Sequence, residues 1–228
     1  MPSFEHPREQ IVAAAQHLLE RGYLSATGGN LSQRIAGQDA FAITPSNYDY
    51  AKMLPEDICV LDFELKPLSG ERKPSVESAM HAAIYQKRPD VMAVIHTHQV
   101  YPSTLAIIGK PIPALFDEQV RFLGRSVEII PYAPSGTGML KNTIASHVAN
   151  HHNAYIMANH GALVFGHDLE RALHNVEVLE KCALAYLLAL CSEQKVSKIP
   201  LLVREVAFAK LRGDQKKLER GERASGGE

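Results

Sequence analysis

Val91-Met-Ala-Val-Ile-His-Thr-His98 is a short apolar run that ends in two histidines one residue apart. Residues 91–95 predict a buried strand, and His96 and His98 lie where that strand ends. Residues i and i+2 of a strand project to the same face. The two imidazoles therefore point the same way, close enough to hold one metal ion between them.

A third histidine follows another apolar run, in Tyr155-Ile-Met-Ala-Asn-His-Gly161. Three neutral imidazoles with an open position for substrate form a typical catalytic metal site. A single histidine at a strand end would more often cap the strand by hydrogen bonding. For the pair His96 and His98 together with His160, the pattern favours a metal.

The composition is that of an ordinary globular protein. The chain has 228 residues, of which 46% are hydrophobic and 21% charged, and 24 Lys and Arg against 25 Asp and Glu give a net charge of −1. This balance argues against a nucleic-acid-binding protein, which would carry a basic excess. The longest apolar run, 182–191, is shorter than the roughly 20 residues of a membrane span.

Cysteine use and the N-terminus predict a cytoplasmic protein. Cys59, Cys182 and Cys191 are odd in number and unrelated in spacing, so no disulfide framework is expected. The first residues also lack the apolar core of a signal peptide. We therefore expect a protein that works in the reducing cytoplasm, without a membrane.

Hydrophobic periodicity predicts one α/β domain around a central, largely antiparallel or mixed sheet. Ser75 is expected to be the N-cap of the second helix. The charged residues from 213 onward are expected to be a disordered tail, which leaves 1–212 as the folded domain. Helices are predicted at 7–21, 75–88, 102–108, 140–149 and 169–192. Residues 26–34 are predicted to form a glycine-rich turn that leads into a short strand, and further strands are predicted near 40–43, 58–62, 91–95, 127–130, 154–158 and 163–165.

Glu77 is the candidate acid or base. Near the start of a helix, an acidic residue also complements the helix dipole, which is a purely structural explanation. In the functional interpretation, Glu77 faces the metal and moves a proton at a carbon next to a carbonyl. His81 lies one helical turn later and is expected to be a core or supporting histidine, although a ligand or a proton carrier is also open.

Three turns carry residue types that suit anion binding. Gly28 and Asn30 belong to a flexible Gly-Gly-Asn turn, and Ser46 and Asn47 belong to a Thr-Pro-Ser-Asn turn. Ser75 precedes a predicted helix, where backbone N–H groups attract anions. Each turn is ordinary alone, but together they predict one pocket for a negatively charged group near the metal.

These residues resemble the class II aldolase/adducin family, over about residues 7–210. The motifs occur in the family's order: Ala26-Thr-Gly-Gly-Asn-Leu-Ser32, Ile43-Thr-Pro-Ser46, Lys73-Pro-Ser-Val-Glu77, Arg88-Pro-Asp-Val-Met-Ala-Val-Ile-His-Thr-His98 and Ala158-Asn-His-Gly-Ala162. The resemblance implies a three-layer α/β/α sandwich around a mixed, largely antiparallel sheet. It also implies a homotetramer with active sites between subunits.

The resemblance further implies roles for single residues. His96, His98 and His160 would bind a divalent metal, most commonly Zn²⁺, with Mn²⁺, Co²⁺ or Mg²⁺ as alternatives, and Glu77 would be the acid/base. The positions that bind substrate phosphate in the family's sugar-phosphate aldolases are here Gly28, Asn30, Ser46, Asn47 and Ser75.

The chain departs from the family pattern at the phosphate pocket and at a proton donor. Asn47 stands where a glycine is usual, and Val76 stands where a second serine is usual. The tyrosine that a neighbouring subunit supplies in the aldolases has no match in 116–119. Asp117 or Glu118 is an alternative donor there, and Arg121 an alternative partner for a substrate carboxylate.

We therefore predict a metal-dependent lyase of carbohydrate metabolism that cleaves a C–C bond of a short hydroxy-ketone or sugar phosphate through a stabilised enediolate. One alternative is a decarboxylase, dehydratase or epimerase that acts on a non-phosphorylated or sugar-acid substrate. Another is an adducin-like interaction module without catalysis, although such a module has no need for an intact metal site. In either enzymatic case the partner is a small molecule.

Overall fold

The computed structural model describes residues 4–220. Within them, eight strands form one sheet in the order β4-β3-β2-β1-β5-β8-β7-β6, and all neighbours are antiparallel except the parallel pair β6 and β7. The strands are β1 Asn30–Arg34, β2 Ala40–Ile43, β3 Cys59–Asp62, β4 Pro67–Ser69, β5 Ala93–Thr97, β6 Glu128–Ile130, β7 Ala154–Met157 and β8 Gly161–Gly166.

Helices cover both faces of the sheet and create three layers. Helices α1, α3 and α6 pack on one face, and α2 and α5 pack on the other. The helices are α1 Glu5–Glu20, α2 Ser78–Lys87, α3 Val100–Ile108, α4 Asp117–Phe122, α5 Gly138–His147, α6 Leu169–Cys191 and α7 Leu201–Glu219. None of these described helices is long and apolar enough to cross a lipid bilayer.

The histidine-bearing strand β5 lies in the middle of the sheet, between β1 and β8. Its side chains alternate between the two cores: Ala93 and Ile95 pack beneath α1, α3 and α6, whereas Val94 packs beneath α2 and α5. Because the period is two, His96 continues the Val94 face. The first metal-ligand candidate is therefore directed toward the N-terminus of α2.

The structure confirms the predicted fold class, with differences at the periphery. Sequence analysis did not predict β4, α4 or α7. The predicted disordered tail from residue 213 is wrong for residues 213–219, because these residues belong to α7, which continues to Glu219. Leu211 and Gln215 of this helix are buried, and Gln215 Nε2 donates to the carbonyl of His151 at 3.0 Å. Residues 221–228 of the predicted tail lie outside the described residues.

The predicted N-cap at Ser75 is also wrong, because α2 begins three residues later. Ser75 Oγ accepts the N–H of Glu77 at 3.2 Å, and the Ser75 carbonyl accepts the N–H of Ser78 at 3.1 Å. These bonds close a turn before the helix, and Glu77 takes the N-cap position. Its carboxylate makes no capping bond there, which leaves it available for contacts elsewhere.

A fully buried arginine joins the end of α2 to the segment before β7. Arg88 donates to both carboxylate oxygens of Asp90 at 2.7 Å and to the carbonyl of His152 at 2.8 Å. It also reaches Asn153 Oδ1 at 2.9 Å. A buried charge with this many partners is tolerated because its lost hydration is replaced.

Candidate metal and acid–base site

Three histidines converge at the edge of the sheet. His96 ends β5 opposite Asn30 of β1, His98 follows it, and His160 lies in the turn between β7 and β8. The side chains each offer a ring nitrogen, and these nitrogens all lie within 4.8 Å of one another. His96 Nε2 and His98 Nε2 are 3.0 Å apart. The structure thus brings together the three predicted ligands.

The protonation of His96 suits a metal ligand. Its Nδ1–H donates to the carbonyl of Ala162 at 2.8 Å, which leaves the lone pair on Nε2 facing His98 and His160. Burial lowers the pKa of His96 to about 4 and also lowers the pKa of His98. Both imidazoles are therefore neutral at pH 7, as metal coordination requires.

Two glycines provide the space for these rings. A Cβ on Gly28 would lie 2.8 Å from His98 Nδ1. A Cβ on Gly161 would lie 2.5 Å from the carbonyl of Thr97, and 2.9 Å from His98 Cδ2. Any side chain at either position would displace the backbone or a candidate ligand, so the site depends on glycine at both.

The three nitrogens fit a divalent ion. Nitrogens bound to one tetrahedral zinc ion at 2.0–2.1 Å lie about 3.3 Å apart. This is close to the 3.0 Å between His96 Nε2 and His98 Nε2 and within the 4.8 Å that bounds all three nitrogens. Three imidazole ligands would leave a fourth position for a substrate oxygen. The same donors also suit other first-row divalent metals, so they define the class of ion and not its identity.

Glu77 lies beside the histidines and is almost fully buried. Its Oε2 accepts from Asn30 Nδ2 at 2.7 Å and lies 3.5 Å from His96 Nε2. Its Oε1 accepts from Ser135 Oγ at 2.7 Å and lies 3.3 Å from His160 Nε2. The carboxylate therefore faces the histidine cluster. The helix-dipole explanation of this residue does not account for these contacts.

The surroundings of Glu77 favour its ionised form. Burial alone would raise the pKa of the carboxyl. The His96 imidazole and the hydrogen bonds from Asn30 and Ser135 outweigh burial and hold that pKa well below its usual range. Glu77 is thus a carboxylate at pH 7.

All nine predicted site residues line one cavity of about 150 Å³. Sequence analysis missed Ser135, which lies in the loop between β6 and α5. A polar Pro-Ser-Gly-Thr-Gly segment after a strand was the available signal. A larger groove of about 770 Å³ lies elsewhere and contains none of the predicted residues. The smaller cavity is lined by Thr27, Gly28, Gly29, Asn30, Pro45, Ser46, Asn47, Ser75, Val76, Glu77, His96, His98, Ser135 and His160.

Two of the three predicted anion-binding turns, those of Ser46 and Ser75, are held side by side. The N–H of Ser46 donates to the carbonyl of Lys73 at 2.8 Å, and the N–H of Ser75 donates to the carbonyl of Thr44 at 3.2 Å. Asn47 has φ of 53°, in the left-handed region that glycine and asparagine adopt most readily. Asparagine therefore preserves the backbone conformation that the usual glycine would give.

Asp117, Glu118 and Arg121, the alternative proton donors and carboxylate partner, do not line the cavity of their own chain. Glu118 pairs with Lys181 at 2.8 Å, and Arg121 pairs with Asp214. Both side chains therefore have charged partners within helices α6 and α7. Asp117 lies in the first turn of α4, also outside the cavity.

A histidine cluster beside a buried carboxylate, at the edge of a three-layer α/β/α sandwich, is compatible with a divalent-metal-dependent enzyme. Residues 9–187 match the model of the class II aldolase and adducin N-terminal domain. The chain belongs to this family.

Similar proteins include both aldolases and a decarboxylase. The chain is 35% identical over 179 residues to the 5-deoxy-D-ribulose 1-phosphate aldolase of Bacillus thuringiensis, covering 78% of this chain and 83% of that protein. A solved L-fuculose 1-phosphate aldolase is 32% identical with a TM-score of 0.86, covering 93% and 98% of the two chains. The 3-oxo-tetronate 4-phosphate decarboxylase of Haemophilus influenzae is 31% identical over 181 residues, covering 77% and 84%.

These likenesses confirm the predicted family and the predicted enzyme class, an aldolase-type carbon–carbon lyase. They also agree with a small-molecule substrate. The roles of the individual residues remain predictions of the sequence and the geometry.

Proposed function

We propose that this protein is a zinc-dependent aldolase that cleaves a short 2-ketose 1-phosphate. The observation that carries the proposal is the convergence of three histidines and an ionised Glu77 on one polar cavity. His96, His98 and His160 would hold the ion. When bound, a divalent metal polarises substrate oxygens and stabilises the negative charge that develops as the C–C bond breaks.

Glu77 moves the proton. In the direction of bond formation, its carboxylate takes a proton from the carbon next to the substrate carbonyl. In the cleavage direction, it returns that proton to the same carbon. The buried carboxylate is held by Asn30 and Ser135, so it meets the substrate in one orientation. A fixed proton acceptor lowers the entropic cost of reaching the transition state.

Neutral donors would bind the phosphate. Within residues 4–220, the backbone N–H groups of Gly29, Asn47 and Val76 donate to no protein acceptor, and all three residues line the cavity. The hydroxyls of Ser46 and Ser75 lie in the same lining. Backbone amides of adjoining turns form a concave anion site of the kind that cradles phosphate. The left-handed Asn47 supports such a site here.

A decarboxylase acting on a sugar-acid phosphate is the second candidate. It is favoured by the similar decarboxylase and by Val76, whose side chain removes one hydroxyl donor from the anion pocket. Loss of carbon dioxide and retro-aldol cleavage leave the same kind of negative charge next to a carbonyl. The same metal and Glu77 would therefore support either reaction.

We further propose a cytoplasmic homotetramer whose active sites lie between subunits. Exposed apolar side chains on α3 and α7 support an interface, because Ile107, Leu201 and Leu202 are each at least 65% exposed. Light scattering should give four times the 25.1 kDa of one chain. A monomer at micromolar concentration would contradict this part of the proposal.

The test combines metal content with product analysis. Protein stripped with a chelator and reloaded with zinc is incubated with 5-deoxyribulose 1-phosphate, fuculose 1-phosphate and 3-oxo-tetronate 4-phosphate. Release of dihydroxyacetone phosphate with an aldehyde supports the aldolase, and release of carbon dioxide supports the decarboxylase. Wild-type protein that binds no divalent metal would favour an interaction module and overturn both enzymatic proposals.

A further inference from the structure

A buried chain of hydrogen bonds extends from Glu77 into the protein interior. Asn30 Nδ2 donates to Glu77 Oε2 at 2.7 Å, and Asn30 Oδ1 lies 2.6 Å from His81 Nε2. His81 Nδ1 lies 2.6 Å from Ser32 Oγ, which lies 2.7 Å from the hydroxyl of Tyr85. None of the five side chains is more than 5% exposed.

Only one assignment of donors and acceptors satisfies every hydrogen bond in this series. The Glu77 carboxylate accepts, so the amide of Asn30 must present its N–H to Glu77 and its oxygen to His81. His81 must then carry its proton on Nε2, which leaves Nδ1 to accept from Ser32. Burial lowers the pKa of His81 to about 3, so the ring stays neutral at every pH at which the protein works.

Tyr85 is the last hydrogen-bond donor in the series. Burial raises the pKa of its phenol, which therefore stays protonated and donates to Ser32 Oγ while Ser32 donates to His81. Every polar atom in the chain then has a partner of the correct type. Such fully satisfied buried networks are rigid, whereas one reversed member would leave an unpaired group at a cost of roughly 1–3 kcal/mol.

We propose that His81 is a positioning residue, which fixes the amide of Asn30 and thereby holds Glu77 Oε2 permanently as a hydrogen-bond acceptor. The proton that moves during catalysis is then exchanged at Oε1. This inference rests on the proposed acid–base role of Glu77. His81 then contributes to the reaction by holding Asn30, without binding the metal.

The environment of Oε1 agrees with this assignment. Its hydrogen-bond partner is Ser135, which is exposed and lies in the loop before α5. A serine hydroxyl rotates, so it can donate to the carboxylate and accept from the protonated acid. Asn30 Nδ2 can only donate, and its orientation is locked by His81. The two oxygens of one carboxyl group therefore have different capacities for a proton.

The first experiment reads the tautomer of His81 in the wild-type protein loaded with zinc. Nitrogen-15 NMR distinguishes a protonated ring nitrogen from an unprotonated one, and loss of the signal in His81→Gln assigns it. We expect a single Nε2–H tautomer that does not change between about pH 6 and 9, because the ring is neutral throughout. An Nδ1–H tautomer, or two tautomers in exchange, would overturn the proposal.

The second experiment compares two substitutions. Gln places an amide near the position of Nε2 and can still donate to Asn30, whereas Asn reaches only the position of Nδ1. In a metal-dependent lyase assay we expect His81→Asn to lower kcat about 100-fold and His81→Gln less than about 10-fold, with KM within about threefold in both. Equal kcat values for the two variants would overturn the proposal.

Zinc affinity and thermal unfolding separate positioning from general damage. Both variants should bind zinc within about threefold of the wild-type affinity, because the three candidate ligands are intact. If the wild-type protein has no lyase activity on any substrate of the panel, the proposed function fails. The tautomer measurement then decides the hydrogen-bond chain alone.

Discussion

Gly28→Ala tests the metal site without changing a candidate ligand. The added Cβ would lie 2.8 Å from His98 Nδ1, whereas ordinary contact begins at 3.4 Å. The His98 ring would have to move by about 0.6 Å to restore ordinary contact. Correct metal–ligand distances tolerate only about ±0.2 Å, so a displacement of this size weakens the coordination bond from His98.

Gly28→Ala should lower the affinity for the metal without preventing the protein from folding. Disturbing a residue that orients a metal ligand typically costs about 10- to 100-fold in metal affinity. This corresponds to about 1.4–2.7 kcal/mol of binding free energy. The metal-free protein should lose little stability, because the ring faces the cavity and can move into it.

The assay is a zinc titration against a chromophoric chelator, combined with thermal unfolding with and without zinc. Gly213→Ala is the matched control, since this exposed glycine of α7 has open space around its Cβ position. Alanine there should leave zinc affinity unchanged and stabilise the helix by up to about 1 kcal/mol. A Gly28→Ala protein that binds zinc within about threefold of wild type would refute the assignment of His98.

Three further predictions concern catalysis, stability and pH. Glu77→Gln should lower kcat by about 10²- to 10⁴-fold while zinc content is retained, and wild-type turnover would contradict its acid–base role. Arg88→Met should cost about 3–5 kcal/mol in urea unfolding because Asp90 loses its buried partner, whereas Arg21→Met at an exposed pair should leave the urea midpoint nearly unchanged. Burial raises the pKa of Glu180 to about 7, so the native state binds more protons than the unfolded state between about pH 4.5 and 7. The free energy of unfolding therefore falls as the pH rises through this range. Glu180→Gln should reduce the difference in unfolding free energy between pH 5 and pH 8.

The histidine cluster could be predicted because its signals are local. Two histidines at i and i+2 share a face in any strand, so His96 and His98 needed only a correct strand assignment. Gly161 directly follows His160, which indicated a turn at that histidine. The strands were predicted from short apolar runs. The predicted strand bounds are close to those of β2, β3, β5 and β7.

The errors have local causes as well. The N-cap at Ser75 failed because serine before a helical pattern also closes turns, and here its hydroxyl binds the N–H of Glu77. The tail was misjudged because α7 is strongly charged. It is anchored by a few buried residues, Phe208, Leu211 and Gln215, whose partners come from distant parts of the chain.

The sequence by itself predicted the family, the candidate histidine ligands and the candidate acid–base residue, because each depends on residue type and short spacing. The resemblance to the family implied the three-layer fold. Only the tertiary structure showed that Ser135 binds Glu77 across 58 positions and that His81 binds Asn30 across 51. The donor and acceptor roles in such a chain depend on which groups meet in space. No periodicity within a strand or helix encodes that meeting.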